Sequence, residues 1–466
     1  MKNAVLILAG GKGERLWPVS RTNWPKFFLN IKGKYSLFQE AFLRAKSLAG
    51  IGGTLVVSNQ IHRYLLKDHL AKIGVRMPPD NILAEPLAKN TAPAIALGLK
   101  KLLAAGDDPV VFIFPADHLM ESGRNFAAAM RTAARLARSG YIATLGVKPT
   151  APKTGYGYIR ADTSRKIASG AWPVSRFVEK PDLAKAQRYL QAGGYYWNAG
   201  IFVGKASVIW SQLAQHAPQI AGPLGAWCPG NSRQLETIYA KLPSISFDYA
   251  VMEQTDRAAV VSFDAAWNDL GDWESVYEVL AESQGLRHGC PGIDIDSKNN
   301  LVFSTGNRLV VTLGVQDLRI IDTEDALLVL KPEYSQRVKE VVKQLGGNQL
   351  LEVHPTVRRP WGSYTVLEAR DDYKVKIIEV LAHRAISLQK HLRRREEWTV
   401  LNGRGQVRLG KKTFSLGRGQ SVKIPKGAAH RLRNDTSRPL KVLELARGKY
   451  LEEDDIVRLQ DDFQRV

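Results

Sequence analysis

With 466 residues the chain has the length for two to four folding units at about 150 residues each; 44% hydrophobic and 24% charged residues exclude disorder, collagen-like repeats and low-complexity tracts as its main content. Lysine and arginine (66) outnumber aspartate and glutamate (45) for a net charge of +21, so the surface attracts anions such as phosphorylated metabolites, nucleotides, nucleic acid or acidic lipid. Two cysteines, Cys228 and Cys290, build no disulfide framework and stand in no paired metal spacing, which fits a reducing compartment.

The opening AVLILAGG ends its apolar run in GGKGER instead of a small-residue cleavage site, so it reads as a buried first strand and not as a leader. No apolar stretch reaches the roughly 20 residues that span a bilayer, and a cytoplasmic protein without a membrane partner is expected. From residue 4 to about 146, the runs 5-VLILA, 54-TLVVS, 110-VVFIF and 141-YIATLGV alternate with helical patterns, as in a parallel sheet with crossover helices. Leu37, Phe38, Ala41, Phe42, Ala45 and Leu48 recur at helical spacing, and Thr91-Ala92-Pro93 opens a helix with an N-cap hydroxyl and an early proline.

Residues 147 to about 280 keep the mixed character with more aromatic and glycine-rich turns, expected to wall off a pocket on the same sheet. Near 285-GLRHGCPG-292 turn formers take over, followed by 300-NLVFS, 308-RLVVTLG, 318-LRIID and a helix near 334–345, a small connecting β unit. After 354-HPTVRRPWG the pattern is almost wholly β, with turns every eight to twelve residues, which suggests a jelly-roll sandwich or barrel. Residues 351–466 hold 25 basic and 15 acidic side chains, about half of the excess charge. No internal repeat of fixed period is evident. The expected boundaries are 1–285, 286–350 and 351–466.

The first strand runs into Gly10-Gly11-Lys12-Gly13-Glu14-Arg15-Leu16. Such glycines let a backbone approach phosphate oxygens and aim N–H groups at them. Leu16 occupies the last glycine slot of G-x-G-x-x-G, and no Gly-Lys-Ser/Thr follows, so neither dinucleotide fingerprint nor P-loop is present. Arg15 and Trp24-Pro25-Lys26 add two cations close to the turn; the alternative is a solvated loop with chance charges.

LILAGGKGERLWPVSRTNWPK resembles the signature of sugar-nucleotide pyrophosphorylases, specifically of mannose-1-phosphate guanylyltransferases. EPLAKNTAPAIAL, FPADH, GYGYI, FVEKP, WNAGIF, SFDYAVME and WNDLGDW follow in the family's order, eight stretches over about 270 residues. The resemblance implies a Rossmann-like nucleotidyltransferase domain with a mixed sheet, joining GTP to mannose 1-phosphate. There, an ionised phosphate oxygen attacks the α-phosphorus and pyrophosphate leaves, so positioning and charge neutralisation matter more than a strong base.

By this resemblance Gly10, Gly11 and Gly13 cradle the nucleotide, Arg15 and Lys26 hold phosphates, and Lys180 grips the sugar phosphate. Glu179 and Asn198 face sugar hydroxyls, while Glu85, Asn90 and Thr91 lie where the family reads the base. Asp117, at the carboxyl end of a strand where ligands bind open α/β sheets, and Asp269 would hold Mg2+; singly, either aspartate also reads as a turn or cap residue. His118 is taken as structural. Lys89, Ala199 and Asn268-Asp269-Leu270 depart from the family pattern while preserving charge or size.

RPWGSY, YKVKIIEV, ISLQKH, EEW, IPKGAAHRL and YLEEDDIVR resemble the cupin-type phosphomannose isomerase domain often fused to these transferases. Its substrates would be mannose 6-phosphate and fructose 6-phosphate. Gln389 and His391, two apart on a strand, with Glu396 and His430 form a set suited to Zn2+ or another divalent ion, which could polarise the sugar carbonyl while a base moves a proton. Arg431 matches a family arginine and could stabilise enediolate charge, or be a rim arginine.

Departures here are sharper. Arg393 stands for a histidine, Glu397 for the histidine of Glu-His-Trp, Ala382-His383 for Pro-Gly and Ala446 for glutamine, and the ending DDFQRV is unusual. If the strand continues past His391, Arg393 shares its face, where a fixed charge would weaken metal binding or meet the 6-phosphate. The cupin is therefore either an isomerase or a non-catalytic module, and a sugar-nucleotide-binding regulator is the rival of another class. Arg393-Arg394-Arg395 lacks the interleaved aromatics of a nucleic-acid site. A homo-oligomer is left open.

Overall fold

The computed structural model describes residues 2–282 and 286–462, in two compact units, 2–352 and 353–462. The expected boundary at 285/286 touches residues outside the described ones, as does most of the DDFQRV ending. No described helix is long and apolar enough to cross a membrane.

The first unit is built on a nine-stranded sheet. Its order is Ile82–Glu85, Thr54–Asn59, Asn3–Ala9, Val110–Pro115, Tyr195–Lys205, Ile142–Val147, Ala258–Phe263, Ala171–Val178 and Tyr158–Ala161. Asn3–Ala9 runs parallel to both neighbours, whereas Tyr195–Lys205 is antiparallel to Val110–Pro115 and Ile142–Val147. The sheet is therefore mixed, and all four predicted strand runs lie in it. Side chains of the first strand alternate between two cores: Val5, Ile7 and Ala9 meet the helices Leu37–Ala49 and Arg124–Arg138, and Ala4 and Leu6 meet Thr91–Ala104 and Ala206–His216. Burial on both faces explains the near-continuous apolar runs.

Helix Thr91–Ala104 begins one residue differently from the sequence reading. Asn90, not a hydroxyl, is the N-cap: its amide oxygen accepts the Thr91 N–H, and the Thr91 hydroxyl accepts the Phe247 N–H instead.

Residues 286–350 hold parallel rungs. Gly292 lies beside Val310, Lys298 beside Gln316 and Leu301 beside Arg319, each partner 18 positions along the chain. The spacing belongs to the backbone and not to a sequence repeat: two turns of a coil need only matching alternation and matching corners, here Asn299 and Asp317, both at φ 57. Leu301, Phe303, Ile321 and Val338 pack with Leu16, Trp17, Trp273 and Leu280 in one core.

The second unit has two antiparallel sheets. One holds Thr356–Arg359, Gly362–Ala369, Tyr373–Val380, Leu440–Gly448, Arg394–Asn402 and Ser421–Ile424; the other holds Lys412–Gly417, Arg404–Leu409, His430–Asn434, Leu388–His391 and Ile456–Gln460. Trp361, Ile378, Val380, Trp398, Val400, Leu432 and Val442 fill the space between them.

Gly289 sits at φ +77 with room for no side chain, since a Cβ there would lie 2.0 Å from the main-chain oxygen of Ser304. Gly289→Ala should therefore lower the unfolding free energy of the first unit by about 2 kcal/mol or more, measured by urea denaturation; an unchanged midpoint would contradict this packing.

Candidate functional site

At the carboxyl end of the first strand the backbone turns through Gly10 and Gly11 to Gly13, which caps the short helix Glu14–Leu16 at φ 71. A Cβ on Gly13 would lie 2.4 Å from the Lys26 Cβ, so glycine is what admits Lys26 to the turn. The buried Lys26 ammonium lies 2.7 Å from the Asp117 carboxylate and donates to the main-chain oxygen of Asp269 at 2.6 Å. One cation thus joins the glycine turn, the end of strand Val110–Pro115 and the turn after Trp267–Asn268. Burial works to raise the Asp117 carboxyl, but Lys26 and His118 outweigh it and hold it below the ordinary carboxylate range.

Asp269 accepts the Gly271 N–H and a hydrogen bond from Tyr156. Burial, then the Asp269 charge, drives the Tyr156 phenol far above its usual range, so it stays an O–H donor. The Trp267 indole N–H donates to His118 Nδ1 at 3.3 Å, which fits a structural His118. Arg15 Nε is buried and has no hydrogen-bond partner among the described residues. Asp117 and Asp269 are a donor set that fits a hard divalent cation sharing its remaining positions with phosphate and water.

Glu85 ends its strand beneath the glycine turn: a Cβ on Gly10 would lie 3.5 Å from its carboxylate. The Tyr239 hydroxyl donates to it at 3.2 Å. Burial pushes the Glu85 carboxyl up to about 7, against the lowering effect of Tyr239. Asn90 and Thr91 spend side-chain oxygens on local backbone, as described above.

A second cluster adjoins the first through Tyr156, whose main-chain oxygen accepts the Lys180 N–H. The Lys180 ammonium bonds Glu179; burial lowers its proton affinity, but Glu179 more than restores it. The Asn198 amide oxygen accepts from Thr144 and from the Gly200 N–H, and its NH2 donates to Asp248 at 2.9 Å. Asn198 is thus committed to holding Asp248, which sequence reasoning did not single out. Asp248 opens a π-helical turn, Asp248–Met252, a form frequent at functional sites. Burial and the Glu179 charge raise its carboxyl.

In the second unit the metal-binding atoms of His391, Glu396 and His430 all lie within 4.8 Å of one another, and all three residues are buried. His391 Nε2 is 3.0 Å from Glu396 Oε1, and His430 Nε2 is 3.6 Å from Glu396 Oε2. Glu396 Oε2 and His430 Nε2 are buried and make no hydrogen bond among the described residues, a cost that a bound ion, ligand or water would relieve. His430 Nδ1 is 2.9 Å from the Ala428 oxygen; a proton on Nδ1 leaves Nε2 with a free lone pair. Gln389 lies beside them, its Nε2 3.4 Å from His391 Nε2. The set fits a divalent ion.

The condition under which Arg393 would share the face of His391 is not met, and Arg431 takes the rim position. The strand does not continue past His391: Leu388–His391 ends and Arg394–Asn402 begins, so Arg393 is exposed over the Tyr450 ring and Arg394 points inward, donating from Nε to Glu396 Oε1 at 3.0 Å. Arg431 alternates with inward His430 and Leu432, pairs with Asp462 and shares a groove with His383 and Arg433. It is not brought to the histidine cluster. Behind the cluster, Lys376 lies 2.7 Å from Glu453 and 3.7 Å from Glu444. Burial, then Glu396, raises the Glu444 carboxyl, whereas Glu396 is held low against burial by His391, His430 and Arg394. Lys376 and Glu444 were legible in principle, because each falls in phase with inward apolar residues of its strand.

The nucleotidyl transferase family model matches residues 4–284, the MannoseP isomerase/GMP-like β-helix domain 292–345 and the mannose-6-phosphate isomerase C-terminal domain 346–461. The xanthan biosynthesis protein XanB of Xanthomonas campestris pv. campestris is 41% identical over 99% of both chains. The mannose-1-phosphate guanylyltransferase of Escherichia coli is 39% identical, again over 99% of both. Among solved structures, the mannose-1-phosphate geranyltransferase from Thermus thermophilus shares 32% identity with a TM-score of 0.66, covering 74% of this chain and 99% of its own.

The raised Glu85 carboxyl sets a sign for stability. Between an ordinary value of 4.5 and about 7 the folded protein holds a proton that the unfolded chain has released, so stability falls as pH rises through that window. Glu85→Gln should remove this fall and gain on the wild type by up to about 3 kcal/mol at pH 8 relative to pH 4, read from denaturant unfolding at both pH values; parallel pH profiles would contradict it.

Proposed function

Since the chain belongs to the nucleotidyl transferase family of mannose-1-phosphate guanylyltransferases that carry a mannose-6-phosphate isomerase C-terminal domain, we propose that it makes GDP-mannose and pyrophosphate from GTP and mannose 1-phosphate, and interconverts mannose 6-phosphate and fructose 6-phosphate. The observation that carries the first activity is Lys26, buried between Asp117 and Asp269 at the glycine turn.

In this reading the turn at Gly10, Gly11 and Gly13 offers N–H groups to the nucleotide phosphates, with Arg15 and Lys26 neutralising charge as the two anions are brought in line. Glu85 reads the base. Lys180, held by Glu179, grips the sugar phosphate, and Glu179 with Asp248 accepts from sugar hydroxyls while Asn198 holds Asp248 in place. Asp117 and Asp269 would hold Mg2+, which when bound supplies further positive charge to the phosphates. Tyr156 keeps Asp269 oriented through its O–H. No general base is needed, because the attacking phosphate oxygen is already ionised.

In the second unit His391, Glu396 and His430, with Gln389 beside them, would hold Zn2+ or another divalent ion, whose contribution is to polarise the sugar carbonyl. His391 and His430, with Arg394, keep Glu396 ionised, and Arg394 aims it through its Nε–H. What favours a working centre is the convergence of buried ligand atoms on His391, Glu396 and His430, of which Glu396 Oε2 and His430 Nε2 make no hydrogen bond among the described residues.

With GTP, mannose 1-phosphate and Mg2+, the wild type should form GDP-mannose, EDTA should abolish the reaction, and Asp269→Asn should slow it by about 10²–10³-fold. A variant within tenfold of wild type would refute the assignment of Asp269, and a wild type without turnover would favour a sugar-nucleotide binder.

A further inference from the structure

We propose that Glu444 is the proton-transfer group of the isomerase centre, carrying a proton between C1 and C2 of an open-chain hexose 6-phosphate held at the His391, Glu396 and His430 cluster. The assignment rests on the isomerase reading above and supplies the acid–base residue that the reading lacks.

Glu444 lines the same cavity as Glu396, Gln389, Lys376 and Glu453. On strand Leu440–Gly448 it stands directly across from Trp398, while Ala446 stands across from Glu396. Glu444 and Glu396 are therefore diagonal neighbours on one inward face, about 7–8 Å apart at the backbone. That spacing suits a substrate whose carbonyl oxygen points at the cluster and whose adjacent C–H bond points at Glu444.

The other charged groups around the cavity are committed, and burial, then the Glu453 charge, raises the Tyr364 phenol so that it keeps its proton. Glu396 Oε1 accepts from Arg394 and faces His391. Glu453 is closely paired with Lys376 at 2.7 Å. His391 and His430 turn their Nε2 atoms to Glu396. Lys376 sits between two carboxylates, which keep it protonated, and Arg359, Arg394 and Arg458 accept no proton at all. Glu444 is held loosely, by the Trp398 indole N–H at 3.3 Å on one oxygen and by Lys376 at 3.7 Å from the other. It is oriented, compensated in charge and left with an oxygen to give.

The step balances without a co-reactant. The Glu444 carboxylate takes the proton from C2 of mannose 6-phosphate, and the C–H electron pair becomes the C1–C2 double bond while the C1 carbonyl pair moves to O1. The O2 hydroxyl proton passes to O1, the O2 pair forms the new carbonyl at C2, and Glu444 returns its proton to C1. Lys376 stays an ammonium throughout, and Arg359 and Arg458, which line the cavity, offer charge to the 6-phosphate.

The test uses the full chain with zinc, cobalt or magnesium and mannose 6-phosphate in D2O. Glu444→Gln should lower conversion to fructose 6-phosphate at least 10³-fold and abolish deuterium incorporation at C1, with bound metal per chain equal to wild type; Glu444→Asp, which keeps the carboxylate, should recover at least tenfold over Glu444→Gln. Conversion by Glu444→Gln within tenfold of wild type overturns the assignment. Loss of metal along with activity also overturns it, by making Glu444 a support of the ligands. A wild type inert with every ion refutes the isomerase reading itself, and Glu444 falls with it.

Discussion

A buried cation bonded to the carboxylate that would carry a metal is the interaction on which both units depend. In the first unit it is Lys26 on Asp117, in the second Arg394 on Glu396. A buried carboxylate without such a partner takes up a proton and stops being a ligand for a hard cation. Lys26, with His118, opposes that outcome at Asp117, and His391 and His430, with Arg394, oppose it at Glu396, so both carboxyls are held below their ordinary range despite burial. The cation also ties together segments far apart in sequence: Lys26 spans the glycine turn, Asp117 and Asp269, and Arg394 reaches the main-chain oxygen of Glu452 as well as Glu396.

The surrounding fold serves to place these pairs. Strand ends gather Gly10, Glu85 and Asp117 at the carboxyl edge of the sheet, where open α/β sheets bind ligands. Tyr156 then links that edge to Lys180 with its main chain and to Asp269 with its side chain. In the second unit antiparallel strands alternate inward and outward residues, so that Glu396, His430, Lys376 and Glu444 all turn to one interior.

Much of this could be read from the sequence where local pattern decides the outcome. The sheet's apolar runs, the glycine turn beside Arg15 and Lys26, and the His391, Glu396 and His430 set all follow from strand periodicity or motif resemblance. What could not be read depends on one-residue shifts and on burial. The five-residue step from His391 to Glu396 calls for a bend but does not fix its position, and the break after His391 exchanges Arg393 for Arg394 at the inward position. Asn90 takes the cap because its φ of 68 suits asparagine, which tolerates that region. Asp248 joins the Lys180 and Glu179 cluster only because Asn198, distant in sequence, turns its amide toward it. The parallel rungs between Gly292 and Arg319 leave no mark in the sequence, because two turns share geometry and not residues.

The most direct measurement assays both reactions in single preparations of the wild type, Lys26→Ala and Arg394→Ala. If each unit's chemistry hangs on its own cation–carboxylate pair, Lys26→Ala loses GDP-mannose formation at least hundredfold and keeps mannose 6-phosphate isomerisation, while Arg394→Ala does the reverse. Variants that spare both reactions, or that each impair both alike, would contradict the account.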